Sequence, residues 1–232
     1  MGRIIAGVVE ASPEFELIAS LGSADSLDLI EGADLVVDVT APAVSPDVVE
    51  AAIARGITVL VGTSGWSGDR IAAVTQRLGD EPAVGVVIIP NFSLGSVLAT
   101  AFAAQAARFF DSIEIVETHH AGKVDSPSGT AVRTAELMGA ARADIGPVAA
   151  PHVDQRARGQ QVSSIPIHSL RMTGVVAKQD VRFGGAGETL TISHETLSPA
   201  SYEAGILIGL RGAREARGVI VGLDAFIDLG LS

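Results

Sequence analysis

The pattern of apolar and polar positions changes character midway along the chain. In the first half, short apolar runs alternate with helical ones, an arrangement that predicts a parallel sheet with crossover helices. Helices are expected over residues 2–11, 46–55 and 69–78, and strands over 15–20, 35–39, 57–61 and 84–89. Pro46 in the first turn of one helix and Gly56 just past its end mark its limits. The run Val84-Gly85-Val86-Val87-Ile88-Ile89 is apolar throughout, as a strand covered on both faces is.

A long helix over residues 94–110 leads into a segment, 112–118, that alternates with period two as a half-exposed strand does. A helix over 130–143 follows, then a stretch over 145–161 rich in Gly, Pro, Gln and Arg that reads as a mobile connection. Alternating strands over 165–171, 175–183 and 189–194, with residues 184–187 as the last turn, predict an antiparallel meander. A helix over 202–214 and the run Val219-Ile220-Val221 return the chain to its first domain. There is no internal repeat. The expected fold class is α/β: a Rossmann-like, doubly wound parallel sheet over residues 1–93 and 205–232, and a smaller α+β domain over 94–204 with an antiparallel or mixed sheet.

Composition narrows the partners. The 232 residues hold 27 acidic and 16 basic side chains, a net charge of −11, and the cations are scattered. No basic stripe is available to neutralise a phosphate backbone, so no nucleic-acid partner is expected. The absence of cysteine removes disulfides, thiolate metal sites and cysteine nucleophiles, and fits a cytoplasmic setting. No apolar run reaches the roughly 18 residues of a membrane span, and the chain's start does not read as a signal peptide, so no membrane partner is expected.

The candidate chemistry is concentrated in Glu117-Thr118-His119-His120-Ala121-Gly122-Lys123-Val124-Asp125-Ser126-Pro127-Ser128-Gly129-Thr130. Three cations or potential cations lie at a strand end, followed by a small-residue turn that opens a helix. Such a helix start offers unpaired amides and a positive dipole end to an anion. His119 and His120 are neighbours on an extended segment and point to opposite sides, which makes them an awkward chelating pair, and no metal is expected. Two readings stand at this point. In one, a histidine is structural, Lys123 is solvated, and Ser128 and Thr130 cap a helix. In the other, a histidine that titrates near neutrality and a lysine beside it form an acid–base and proton-donor pair, with Ser128, Gly129 and Thr130 holding a carboxylate.

The run His119-His120-x-x-Lys123-x-Asp125-x-Pro127-Ser128-Gly129-Thr130 resembles the signature of the 4-hydroxy-tetrahydrodipicolinate (dihydrodipicolinate) reductase family of lysine biosynthesis. The resemblance extends over essentially the whole chain. Gly62-Thr63-Ser64 is similar to the family's nicotinamide-side loop, Pro90-Asn91-Phe92-Ser93-Leu94-Gly95 to its hinge motif, and residues 165–171 to a strand of its substrate domain. The resemblance implies reduction of a cyclic dicarboxylate by NADH or NADPH, with loss of water. It implies an acid–base role for His119, a proton-donor role for Lys123, and substrate contacts from His120, Gly129 and Thr130. Gly62, Thr63, Ser64, Ile89, Pro90, Asn91 and Phe92 are implied on the cofactor side, in a homotetramer assembled through the second domain's sheets.

The chain departs from the family pattern at its beginning. The family opens with a strand and a G-x-x-G-x-M-G turn, of which Met1 and Gly2 alone correspond here. A strand is accordingly expected to be missing from the sheet. Residues 20–23, Ser-Leu-Gly-Ser, hold no side chain suited to grip the adenosine ribose, which leaves both NADH and NADPH open. A reading of a different class follows, a non-catalytic ligand-binding or assembly subunit. The complete His119, His120 and Lys123 set argues against it.

Overall fold

The computed structural model describes residues 1–228. These divide into two compact units, Met1–Leu94 with the chain from Pro199 on, and Gly95–Ser198.

The first unit begins with helix α1, Gly2–Ala11, whose Ile5 and Val9, one turn apart, are its buried positions. Strand β1, Leu35–Asp38, helix α2, Ser45–Ala54, strand β2, Thr58–Val61, helix α3, Gly68–Leu78, and strand β3, Gly85–Ile88, follow in the expected alternation. Local chemistry sets the helix limits. Pro46 occupies the first turn of α2, the Ser67 hydroxyl accepts from the Arg70 amide to cap α3, and Gly79 closes α3 at φ 73°. β2 and β3 are buried at every position. Val59, Val61, Val86 and Ile88 pack with Val49 and Ala52 of α2 and with Ile71 and Val74 of α3.

Residues 15–20 are not a strand. A strand needs a ladder partner, and among the described residues β1 pairs with β2 on one side only. The segment is instead tied to the helix near the chain's end: the Glu14 carboxylate accepts from Arg211, and the Arg214 guanidinium stands 5.7 Å from the Phe15 ring centroid.

The second unit contains helix α4, Leu94–Ala106, strand β4, Ser112–His120, helix α5, Gly129–Ala141, and strands β5, Gln160–Val162, β6, Ile165–Met172, β7, Ala177–Gly185, and β8, Glu188–Thr196. α4 stops at Ala106, short of the expected Phe110, and Arg142, 5% exposed, donates to the carbonyls of Ala107 and Phe110 in the turn that follows it. The expected connection over 145–161 holds a 3-10 turn, Arg156–Arg158, and ends in the short strand β5. The sheet is mixed, in the order β5-β6-β4-β7-β8. The meander expectation is corrected on one point: β6 and β7 are not paired, because β4 lies between them, parallel to β6 and antiparallel to β7. β7 and β8 form one hairpin, and β5 and β6 form another, closed by the two-residue turn of Ser163 and Ser164, both at positive φ.

Register gives this sheet an inner face built in rows. Ile167, Ile115, Val181 and Ile192 form one apolar row, and Ile113, Phe183 and Leu190 another. Ala103 and Ala107, at the end of α4, and Ala131, Ala135 and Met138 of α5 cover them. Above the apolar rows the same face turns polar, with Ser169, Glu117, Gln179 and His194 in register, and above those Arg171, His119, Ala177 and Thr196.

The chain then returns to the first unit through helix α6, Glu203–Glu215, and strand β9, Gly218–Val221, giving a four-stranded parallel sheet in the order β1-β2-β3-β9. Gly209 of α6 lies close enough that a Cβ there would come within 2.8 Å of Ile89 and 3.6 Å of Leu60, so α6 covers the face opposite α2 and α3. Helices on both faces are why β2 and β3 are buried throughout and apolar but for Thr58.

Candidate active site

The polar rows at the end of β4 centre on one carboxylate. Glu117 is fully buried, and four N–H groups converge on it. Arg171 donates through Nη1 to Oε2 at 2.9 Å and through Nη2 to Oε1 at 3.0 Å, a two-point grip that only a guanidinium supplies. The Ser128 amide donates to Oε1 at 3.1 Å, and His119 Nδ1 lies 2.6 Å from Oε2. Strand geometry makes the last contact, because residues two apart share a face. His120 falls on the opposite face and is exposed, as the extended segment led us to expect.

These contacts set the charges. Burial pushes the Glu117 carboxyl upward, but hydrogen bonds from Arg171, Ser169 and His119 outweigh it and hold the group below the ordinary carboxylate range. Burial lowers the His119 pKa, and the charges of Lys123 and Arg171 act the same way against the opposing pull of Glu117. A neutral imidazole carries one N–H, and a carboxylate only accepts. The proton of neutral His119 is therefore on Nδ1, and Nε2 carries the lone pair.

The turn after β4 is fastened to the same group. Arg171 Nη2 also donates to the Asp125 carbonyl at 2.6 Å, and Lys123 Nζ pairs with the Asp125 carboxylate at 2.7 Å. Lys123 is thus held at the strand end with its side chain 21% exposed. Ser128 is the cap of α5, its hydroxyl accepting from the Ala131 amide at 3.2 Å. Gly129 and Thr130 stand in the first turn, where a helix has no internal acceptors for its amides. His119, Lys123, Gly129 and Thr130 are therefore gathered by one hydrogen-bonded assembly. Glu117 and Arg171 were missed as functional residues from sequence. Their signals were the two-residue spacing to His119 and a lone arginine in an alternating strand.

In the first unit, the loops that follow β1, β2 and β3 meet at the carboxyl ends of the parallel strands. The Gly62 amide donates to the Asp38 carbonyl at 2.8 Å, and a Cβ at Gly62 would come within 2.6 Å of the Phe92 ring, which brings 62–64 against 89–92. The buried Asp38 carboxylate accepts from the Thr40 amide at 3.0 Å, the Thr40 hydroxyl at 2.6 Å and the Ser45 hydroxyl. Ser45 Oγ in turn accepts from the Trp66 indole at 2.9 Å, which ties the first loop to the second. Ser64 and Pro90 are exposed, Gly62 and Asn91 partly so, whereas Thr63, Ile89 and Phe92 are buried and shape the loops from beneath. α1 starts beside Val39, the Gly2 Cβ position lying 3.9 Å from its Cγ2. Uncharged loops and a helix start at this edge of a parallel sheet fit a nicotinamide dinucleotide.

A parallel-sheet unit whose strand-end loops fit a dinucleotide, with a mixed-sheet unit whose central strand and following turn carry His119 and Lys123, has the arrangement of a two-domain nicotinamide-dependent oxidoreductase. The sequence profile described as "Dihydrodipicolinate reductase, N-terminus" matches residues 1–92, and that described as "Dihydrodipicolinate reductase, C-terminus" matches residues 95–227. The chain belongs to the dihydrodipicolinate reductase family. It is 69% identical over 229 residues to the 4-hydroxy-tetrahydrodipicolinate reductase of Clavibacter michiganensis, covering 99% of this chain and 83% of that protein. It is 45% identical over 227 residues to the enzyme of the same name from Streptomyces griseus, covering 95% and 91%. Among solved structures it is similar to dipicolinate-bound dihydrodipicolinate reductase from Paenisporosarcina sp. TG-14, with a TM-score of 0.80 and 27% identity, covering 97% and 95% of the two chains. The family's reductases use NADH or NADPH.

Proposed function

We propose that this chain reduces 4-hydroxy-tetrahydrodipicolinate to tetrahydrodipicolinate on the diaminopimelate route to lysine, in the cytoplasm. The observation that carries the reading is the assembly around Glu117, which holds His119, Lys123 and the start of α5 together in one unit. Relatives of the same name at 69% and 45% identity support it, and they favour catalysis over a binding-subunit role.

The substrate loses water and gains one hydride and one proton. NADH or NADPH, bound by residues 62–64 and 89–92, supplies the hydride. The protein's remaining tasks are to orient the ring and move protons. The amides of Gly129 and Thr130 at the start of α5 hold substrate carboxylate, the bound diacid of the Paenisporosarcina structure being of the same class, whereas His120, on the other face of β4 beside Met172, is not gathered with them. Lys123 delivers the proton to the carbon beside the one reduced, and His119 exchanges protons through Nε2. Fixing the ring by remote carboxylates aligns both steps.

The test follows loss of NADH or NADPH absorbance with the condensation product of aspartate semialdehyde and pyruvate. Turnover, with Lys123→Ala losing most of the rate, is the expected result. No turnover with either cofactor overturns the reading.

We also infer a homotetramer built through the outer face of the second unit's sheet, where Leu170 and Met172 are 45% and 49% exposed. Light scattering that gives a monomer mass at micromolar concentration overturns this.

A further inference from the structure

We propose that Glu117 is a positioning residue for the reaction: it fixes the His119 ring in its Nδ1–H tautomer and pins the lysine-bearing turn to it, while Arg171 keeps it ionised. The inference rests on the acid–base role of His119 given above.

Four donors meet the two carboxylate oxygens of Glu117. Oε2 takes Arg171 Nη1 and His119 Nδ1, and Oε1 takes Arg171 Nη2 and the Ser128 amide. All four groups are donors, so the site accepts a carboxylate and nothing else of that shape. An isosteric amide would place an NH2 against two donors whichever way it turned. If that NH2 replaced Oε2, the imidazole would have to move its proton to Nε2 so that Nδ1 could accept. Nε2 would then no longer be a base.

A carboxylate buried with no exposed surface is costly unless paired. Arg171 provides the pairing and extends it, because the same guanidinium holds the Asp125 carbonyl while Asp125 holds Lys123. One carboxylate therefore sets the tautomer of one proton-transfer residue and the placement of the other. The groups that face His119 are Glu117, on its own strand, Arg171 of β6 and Lys123 of the following turn.

The experiment compares the intact chain with Glu117→Gln. Nitrogen NMR of the histidine side chains, with the His119 signal assigned by its loss in His119→Gln, reads the tautomer with no reference to activity. Steady-state kinetics read kcat, KM and their pH dependence. The wild type is expected to show a protonated Nδ1 on His119 at neutral pH. Glu117→Gln is expected to shift the proton toward Nε2 and to lose at least about 10- to 100-fold in kcat, the range for carboxylates that orient metal-bound histidines. KM for NADH should be unchanged, and the pH inflection assigned to His119 should move down, since Glu117 opposes its depression. The loss should largely disappear in a His119→Gln background, because the two act as a unit.

An unprotonated Nδ1 in the wild type, or wild-type kcat in Glu117→Gln, overturns the proposal. If Glu117→Gln does not fold, the readings are taken on Glu117→Asp, which keeps the charge but shortens the reach; full kcat there overturns it equally. A wild type that turns nothing over while showing the Nδ1–H tautomer would sink the catalytic reading and leave the positioning geometry standing.

Discussion

Two glycine-to-alanine changes in the first unit should shift stability in opposite directions, although helix propensity alone treats them alike. In a helix interior alanine is favoured over glycine by about 1 kcal/mol. Gly7 of α1 is exposed, and a Cβ there meets nothing within 4 Å, so Gly7→Ala should gain most of that amount. At Gly205 of α6 the Cβ would lie 1.9 Å from the Phe92 carbonyl oxygen and 2.8 Å from its carbonyl carbon. Neither glycine has a positive φ, so the difference is packing alone. The obstacle at Gly205 is backbone, which no rotamer change can clear, and α6 or the 89–92 loop must move by about 1.5 Å to restore ordinary contact. Overpacking of this kind costs about 1–3 kcal/mol and exceeds the propensity gain. The propensity gain is common to both, so the two variants should differ by the overpacking cost, about 1–3 kcal/mol. Urea unfolding followed by emission of Trp66, the sole tryptophan and a residue of the same unit, reads both. With a slope of about 1–3 kcal/mol per molar urea, the midpoints should separate by about 1 M. Because Phe92 is in the proposed cofactor loop, Gly205→Ala should also weaken NADH binding. Equal midpoints, or a Gly205→Ala more stable than Gly7→Ala, would refute the packing argument.

Acid should destabilise the chain in two stages. Burial depresses His119 and His194, so the unfolded chain takes up protons first; stability is fully present above the ordinary imidazole pKa of about 6.5 and falls as pH drops through it. Glu114, despite burial, is held low by Arg158 and His168, and Glu117 by Arg171, Ser169 and His119, so a second loss begins below the ordinary carboxylate pKa of about 4.3. Thermal midpoints measured from pH 8 to 2 should show both; a flat curve between 7 and 5 in the wild type would contradict the first. Arg142→Met should cost about 3 kcal/mol or more, because it strands the carbonyls of Ala107, Phe110 and Gly146 that the guanidinium serves. A midpoint within about 1 °C of wild type would show that those carbonyls find other donors.

Much of the first unit was legible because its strands are continuous apolar runs punctuated by Gly and Pro, signals that act over a few residues. Residues 15–20 have the composition of a strand, but strand formation depends on a neighbour that composition does not report. In the second unit the strands were legible and their order was not. β4 and β6 lie about 50 residues apart and pair in parallel, a choice made by packing against α4 and α5. The short β5, polar and adjacent to a turn, carries no periodicity long enough to read. His119, Lys123 and Ser128 were legible as one contiguous run. Arg171 joins them only through register, so its part in the site appears once β6 is laid beside β4.

The discontinuity of the first unit bears on synthesis. β3 gains its second ladder partner when β9 is made, about 130 residues later. At roughly 5–20 residues per second, the nascent sheet waits about 6–26 s with that edge open and the face later covered by α6 bare. Within that interval β4 emerges and waits in turn for β6 and β7. The strand bearing Glu117 and His119 thus has both its neighbours before β3 has its second, and the ribosome delivers an inserted domain that is complete before its host can close.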